Sequence, residues 1–146
     1  MKVYLDNCCY NRPYDDQSDL RISLETQAKL FIQYLIQEKK LELVTSYVLY
    51  YENSKNPHTS RSETIFDFFK NATSYVGIDK NNHILDLATK IQITGIKTAD
   101  ACHIACAEFS KCDFFVTTDD RILKYKSETT KIINPIQFVQ LFFKEN

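Results

Sequence analysis

The stretch 113-DFFVTTDDRIL-123 decides how the rest of the chain is read. Residues 113 to 118 form a nearly all-apolar run of strand length, as expected for a central parallel strand covered on both faces. Asp119 follows at once. The chain opens in the same way, with a strand over Lys2 to Leu5 running straight into Asp6. A buried strand seldom ends in an unpaired carboxylate, because desolvating that charge is costly, so both positions call for a reason.

Around these two strands, short apolar runs alternate with amphipathic segments, the pattern of an α/β fold. A core-facing helix is expected over about 18 to 38, with Ser18 or Asp19 as N-cap and Leu24, Ala28, Phe31, Ile32, Leu35 and Ile36 at helical spacing. Residues 41 to 46 read as a second strand. A helix starting near Ser46 must stop before Pro57, and it carries Glu52. Ser60 and Glu63 have the form of a capping box opening a helix through Phe66, Phe69 and Lys70. A third strand is expected at 74 to 78, then a helix capped by Asp79 that stops by Gly95. Thr98 is the expected cap of the small-residue helix ADACHIACAEFSK. Residues 130 to 134 make the last strand, and Asn134 with Pro135 starts a terminal helix through Phe138, Val139, Leu141 and Phe142. The expectation is a three-layer α/β/α sandwich with a central parallel sheet, one domain over residues 1 to 146.

Composition narrows the class. Hydrophobic residues at 44% and charged residues at 25%, with only 2 Gly and 3 Pro, argue against linkers and disorder. No apolar run approaches the roughly 20 residues of a membrane span, and Asp6 interrupts any signal-peptide core, so a cytoplasmic protein without a membrane partner is expected. Five cysteines without a CxxC spacing read as reduced thiols. A net charge of -1 provides no general attraction for nucleic acid, so any such binding must use a local patch.

In an open parallel sheet, ligands bind outside the carboxyl ends of the strands, where strand order reverses. Asp6 and Asp119 sit at such ends, Glu52 lies just beyond the second strand, and Asp100 lies near the start of a helix facing the same edge. Four carboxylates gathered there raise one another's pKa, and such oxygen-rich clusters suit Mg²⁺ or Mn²⁺, which activate water at phosphodiesters.

The ordered set VYLDN, Glu52, KTADACHIACA around Asp100 and FFVTTDDRIL around Asp119 resembles the four acidic motifs of the PIN domain, over essentially the whole chain and at a length typical of VapC-like toxins. The resemblance implies a metal-dependent endoribonuclease, with an antitoxin whose tail enters the acidic groove as partner, and often a homodimer. It places Asp6, Glu52, Asp100 and Asp119 at the catalytic, metal-binding positions, with Asp120 as an extra ligand or a substitute for Asp119. Asn7, Arg12, Thr117, Lys97 and Arg121 are the candidate RNA contacts, Arg12 being held by Pro13 where its guanidinium can face phosphate. The chain departs from many relatives in carrying Asn7, Cys8 and Cys9, rather than a small hydroxyl residue, just after the first Asp.

Rival readings attach to several residues. Single acids are ordinarily solvated surface, and Asp100 also suits the first turn of a helix on electrostatic grounds. His103 reads first as a packed or hydrogen-bonded histidine; with Cys102, Cys106 and Cys112 it also permits a zinc site, although free cysteines commonly pack as small hydrophobes. Lys55, Arg61, Lys124 and Lys126 are further candidates for an RNA-binding patch, and Tyr47, Tyr50 and Tyr51 for base stacking, with at least one of the three in the core. A catalytically inactive module that binds RNA or protein is the main alternative function. An aspartyl phosphoacceptor is disfavoured because Asp6 lacks a D-x-D partner, and a dinucleotide-binding domain because no G-x-G-x-x-G exists.

Overall fold

The computed structural model describes residues 1 to 145. Its five strands are β1 (Lys2–Leu5), β2 (Glu42–Ser46), β3 (Ser74–Val76), β4 (Phe114–Val116) and β5 (Lys131–Ile133). They pair in the order β3-β2-β1-β4-β5, and every pairing is parallel. Strand order therefore reverses at β1, which places Asp6 at the switch point. The helices are α1 (Asn7–Asn11), α2 (Leu20–Gln37), α3 (Tyr47–Ser54), α4 (Thr59–Phe69), α5 (Asn81–Gln92), α6 (Thr98–Phe109), α7 (Asp120–Leu123) and α8 (Pro135–Glu145). Among the described residues, no helix is long and apolar enough to cross a membrane.

Alternation along the strands separates the two helical layers. Tyr4 and Phe115 are register partners whose rings stack, and the Tyr4 hydroxyl reaches His103 of α6. Phe114, one residue earlier, points the other way and meets Phe138 of α8 edge-on. α8 packs with α2, where Phe31 stacks on Phe143, while α5 and α6 pack together. Val3, Tyr4, Leu5, Phe115 and Val116 are fully buried, as central strands covered on both faces require. This is the α/β/α sandwich with a parallel sheet that the PIN-like motifs imply.

Most element ends follow local chemistry. Asp19 caps α2 by accepting from Ile22 N, Ser46 caps α3 by accepting from Leu49 N, and the Asn134 side chain accepts from Ile136 N ahead of Pro135. Others differ from expectation. Ser60 caps nothing: the Asn56 side chain accepts from His58 N, and α4 starts two residues after Pro57 with His58 at its N-cap. Strand β3 ends at Val76, and Asp79 belongs to a 3₁₀ turn over Ile78–Lys80 rather than capping α5. Thr98 is the first residue of α6, its hydroxyl taken by Gln92 Nε2. The polar stretch after Asp6 holds α1 and a 3₁₀ turn over Arg12–Tyr14.

Candidate active site

The carboxyl ends of β1, β2 and β4 open onto one cavity of about 350 Å³, lined by Asp6, Glu52, Asp100 and Asp119 together with Asn7, Cys8, Asn11 and Asp15. Four acids separated by up to 113 positions in the chain are thus brought together by topology. Asp15 is a fifth acid on the same wall. Nothing in its local sequence distinguished it, because the turn that carries it inward was unforeseen.

Asp6 is the most firmly built of the group. Its N–H donates to Val116 O at 2.9 Å, tying the end of β1 to β4. Its carboxylate, buried to 4% exposure, accepts from Asn7 N at 2.8 Å, from the Thr117 hydroxyl at 2.8 Å and from the Cys8 thiol at 3.4 Å. Cys8 therefore supplies a third donor to Asp6. Thr117 is fully buried and also accepts from Asp119 N at 3.1 Å, so it couples the two strand-end acids rather than facing substrate.

Asp119 caps α7 through Arg121 N and is gripped by the Arg121 guanidinium at 3.1 Å. That hydrogen bond leads the effects holding its carboxyl below the ordinary value. Asp100, half-buried in the first turn of α6, is shifted the other way, by burial first and then by the charges of Asp6 and Asp119. The pair shows opposite environments across one cavity: Asp119 has its own cation, and Asp100 has mainly other anions.

Glu52 is positioned from behind. His103, 1% exposed on α6, places Nδ1 2.7 Å from the Tyr4 hydroxyl, which lies 2.7 Å from Ser46 Oγ. Its Nε2 is 2.9 Å from Glu52 Oε1; the N–H is not well aimed for a hydrogen bond, and the contact is an ion pair when the ring is protonated. Burial alone would lower the His103 pKa, but Glu52, Asp6 and Asp100 outweigh it and the value is raised. His103 is therefore a hydrogen-bonded core histidine behind a site residue, which sequence spacing to Asp100 alone did not reveal.

The loop carrying Thr117 to Asp120 is held from α2. Glu25, fully buried, accepts from Arg12 at 2.7 and 2.9 Å and from Arg21 at 3.3 Å, and also binds the Asn134 amide. Arg21 donates onward to Thr118 O at 3.2 Å and grips the Asp120 carboxylate at 2.8 and 3.0 Å.

Several candidate positions lie elsewhere than expected. Asp120 is turned out of the cavity by Arg21 and does not line it. Arg12 is committed to Glu25 and Asp15, so the guanidinium is used to build the wall rather than left free above it. Lys97 is exposed at the N-cap of α6 and lines no part of the acidic cavity, Arg121 stands at the rim against Asp119, and Asn7 lines the cavity as expected. Lys126 lies near Asp113 and Lys131, at the opposite edge of the sheet. Tyr50 packs with Phe66, Phe69 and Tyr75, Tyr47 donates to Asn81, and Tyr51 is exposed. The zinc alternative finds no support: among the described residues no three His, Cys, Asp or Glu side chains are grouped to hold a metal, and His103 Nδ1 is taken by the Tyr4 hydroxyl.

The donor chemistry fits a hard dication, since the cavity offers carboxylate and amide oxygens, and Asp100, raised first by burial, also has Asp6 and Asp119 as anionic neighbours. The side chains are not closed around a point. Among the described residues no three His, Cys, Asp or Glu groups already form a cage; Glu52 is in contact with His103 and Asp119 with Arg121.

No protein-family model and no curated protein sequence matches the chain. Solved structures share its fold. A chain of VapBC2 from Rickettsia felis, crystallised bound to a DNA fragment from its promoter, aligns with a TM-score of 0.56 at 15% identity, covering 92% of this chain and 98% of that one. A chain of FitAcB from Neisseria gonorrhoeae aligns at 0.57 and 15%, covering 91% and 97%. At this identity the likeness establishes the fold, a PIN-like α/β/α sandwich, over nearly the full length of both chains.

Proposed function

We propose that this chain is a Mg²⁺- or Mn²⁺-dependent endoribonuclease and the toxin of a type II toxin-antitoxin pair. The observation that carries the reading is the meeting of Asp6, Glu52, Asp100 and Asp119 in one open cavity at the switch point of the sheet. A bound dication would activate water and offset the charge developing on the phosphodiester. Asp6, fixed by Thr117 and Asn7 N, is the anchor of the site; Glu52 and Asp119 are carboxylates held in reserve by His103 and Arg121. Water attacks phosphorus in line, the bond to the 3′-oxygen breaks, and that oxygen takes a proton, giving 5′-phosphate and 3′-hydroxyl ends without use of the 2′-hydroxyl. An antitoxin partner and a homodimer belong to the same proposal, supported by the motif resemblance and by the likeness to chains of the VapBC2 and FitAcB structures.

The engagement of Asp119 by Arg121, and of Glu52 by His103 when that ring is protonated, is the observation favouring a second reading, a binding module that does not cleave. The deciding experiment is cleavage of a mixed labelled RNA pool with Mn²⁺, beside EDTA and an identically purified Asp6→Asn protein. Activity lost in both controls establishes a metal nuclease at this rim. Identical behaviour of wild type and Asp6→Asn, with or without metal, refutes the assignment and leaves the binding module.

A further inference from the structure

We propose that the cavity next to the acidic one is a subsite for a nucleotide flanking the scissile phosphate of single-stranded RNA, with Lys55 and Arg61 as its phosphate contacts; this rests on the ribonuclease reading above. The second cavity, about 230 Å³, shares Asn7, Asn11, Asp15 and Glu52 with the first, so the two have a common wall. Their charges differ. No lysine or arginine lines the acidic cavity, whereas Lys55, His58 and Arg61 line its neighbour. A polyanion entering a pocket of five carboxylates needs an anchor outside it, and this is the adjoining place that supplies one.

The two cations are available for that task. Among the described residues neither Lys55 nor Arg61 has a carboxylate partner, in contrast to Arg12, Arg21 and Arg121. Each is held over an aromatic ring instead, Arg61 at 4.9 Å from the Tyr14 centroid and Lys55 at 5.2 Å from that of Tyr51. A cation placed in this way keeps its full charge for phosphate.

The wall between the cavities is a chain of amides. Asn11 Nδ2 donates to Asn7 O at 3.1 Å, and Asn56 Nδ2 donates to Asn11 Oδ1 at 3.3 Å, leading from the residue beside Asp6 to the residue beside Lys55. Asn53, 1% exposed, backs the same cavity, its Nδ2 donating to Ser62 O at 2.9 Å. The amides of this wall suit the edge of one base, which only an unpaired strand can present.

The test is the salt dependence of binding of a short labelled single-stranded RNA to the purified chain in EDTA, where no metal-dependent cleavage occurs. Lys55→Met and Arg61→Met keep the apolar stems and remove the charges; Lys111→Met, at the far edge of the sheet, is the control. Each phosphate contact accounts for about 0.7 in the slope of log affinity against log salt, so each of the two variants should flatten the slope by about that amount and the control should leave it unchanged. Slopes equal to wild type in both variants, or no binding by wild type, overturn the subsite. Wild type that binds with the expected slopes but cuts nothing with Mn²⁺ refutes the ribonuclease reading, and with it a scissile phosphate beside this cavity, and leaves only a single-stranded RNA site at Lys55 and Arg61; wild type that cuts while both variants keep its slope refutes the subsite alone.

Discussion

Replacing Thr117 by valine removes one hydroxyl from the junction of the two strand-end acids and keeps the side-chain shape. Thr117 is fully buried, donates to the Asp6 carboxylate at 2.8 Å and accepts from Asp119 N at 3.1 Å. A hydrogen bond to a charged group contributes about 1.5–3 kcal/mol, and a backbone N–H left without an acceptor costs about 1–3 kcal/mol. Asp119 sits at the half-buried rim, where water can replace part of the second loss, so the expected total is about 3 kcal/mol. For a chain of this size that lowers the melting temperature by about 10 °C. Thr117→Ser retains the hydroxyl and loses one methyl, about 0.8 kcal/mol of burial. Urea unfolding of the three proteins reads these values directly. Thr117→Val within 0.5 kcal/mol of wild type (about 0.5 being the ordinary effect of an inconsequential substitution), or Thr117→Ser as damaging as Thr117→Val, would refute the coupling of Asp6 to Asp119 through this hydroxyl.

Two further outcomes follow from the charges. Asp100 has a raised carboxyl pKa in the folded chain, from burial and then from Asp6 and Asp119, so the folded state binds that proton more readily than the unfolded one and ionisation costs stability. Asp100→Asn should therefore melt higher than wild type near neutral pH, the gain fading as pH falls through the raised folded value and gone below the unfolded carboxyl value of about 3.9, and added Mg²⁺ should raise the melting temperature of wild type more than that of the variant; a variant less stable at neutral pH would contradict this. Glu25→Gln leaves Arg12 facing an amide in a buried site and should cost about 3 kcal/mol, at the low end for a broken buried pair because Arg12 keeps Asp15; chemical denaturation showing less than 1 kcal/mol (about the worth of a surface pair) would show that the network carries little.

Strands and long helices were legible because their signals are local. Phe114 to Val116 is apolar without alternation, and Asp19, Ser46 and Asn134 each cap the helix that follows by reaching a backbone N–H a few residues away. The convergence of Asp6, Glu52, Asp100 and Asp119 was legible too, because all-parallel topology forces strand ends to one edge. Short elements were not. The turn at Arg12–Tyr14 that precedes Asp15, the early start of α4 and the four-residue helix α7 are too short to carry a periodic signal, and the first two start without a side-chain cap from their N-cap residue.

Sequence by itself determined the order in which strands and helices alternate, since hydrophobic periodicity acts over a few residues at a time; it determined burial only in part, Leu24 of α2 being 44% exposed where its spacing predicts the core and Glu25 beside it fully buried. Tertiary structure alone decided the partners of the charged groups. Arg12 pairs with Glu25, 13 positions away, Arg21 with Asp120, 99 away, and His103 meets Glu52 from another helix. A salt bridge requires only that two side chains arrive within a few ångströms, and no local pattern in a chain encodes that arrival; this is why Asp120 and Arg12, plausible at the cavity by sequence, are bound elsewhere, and why Asp15 lines it instead.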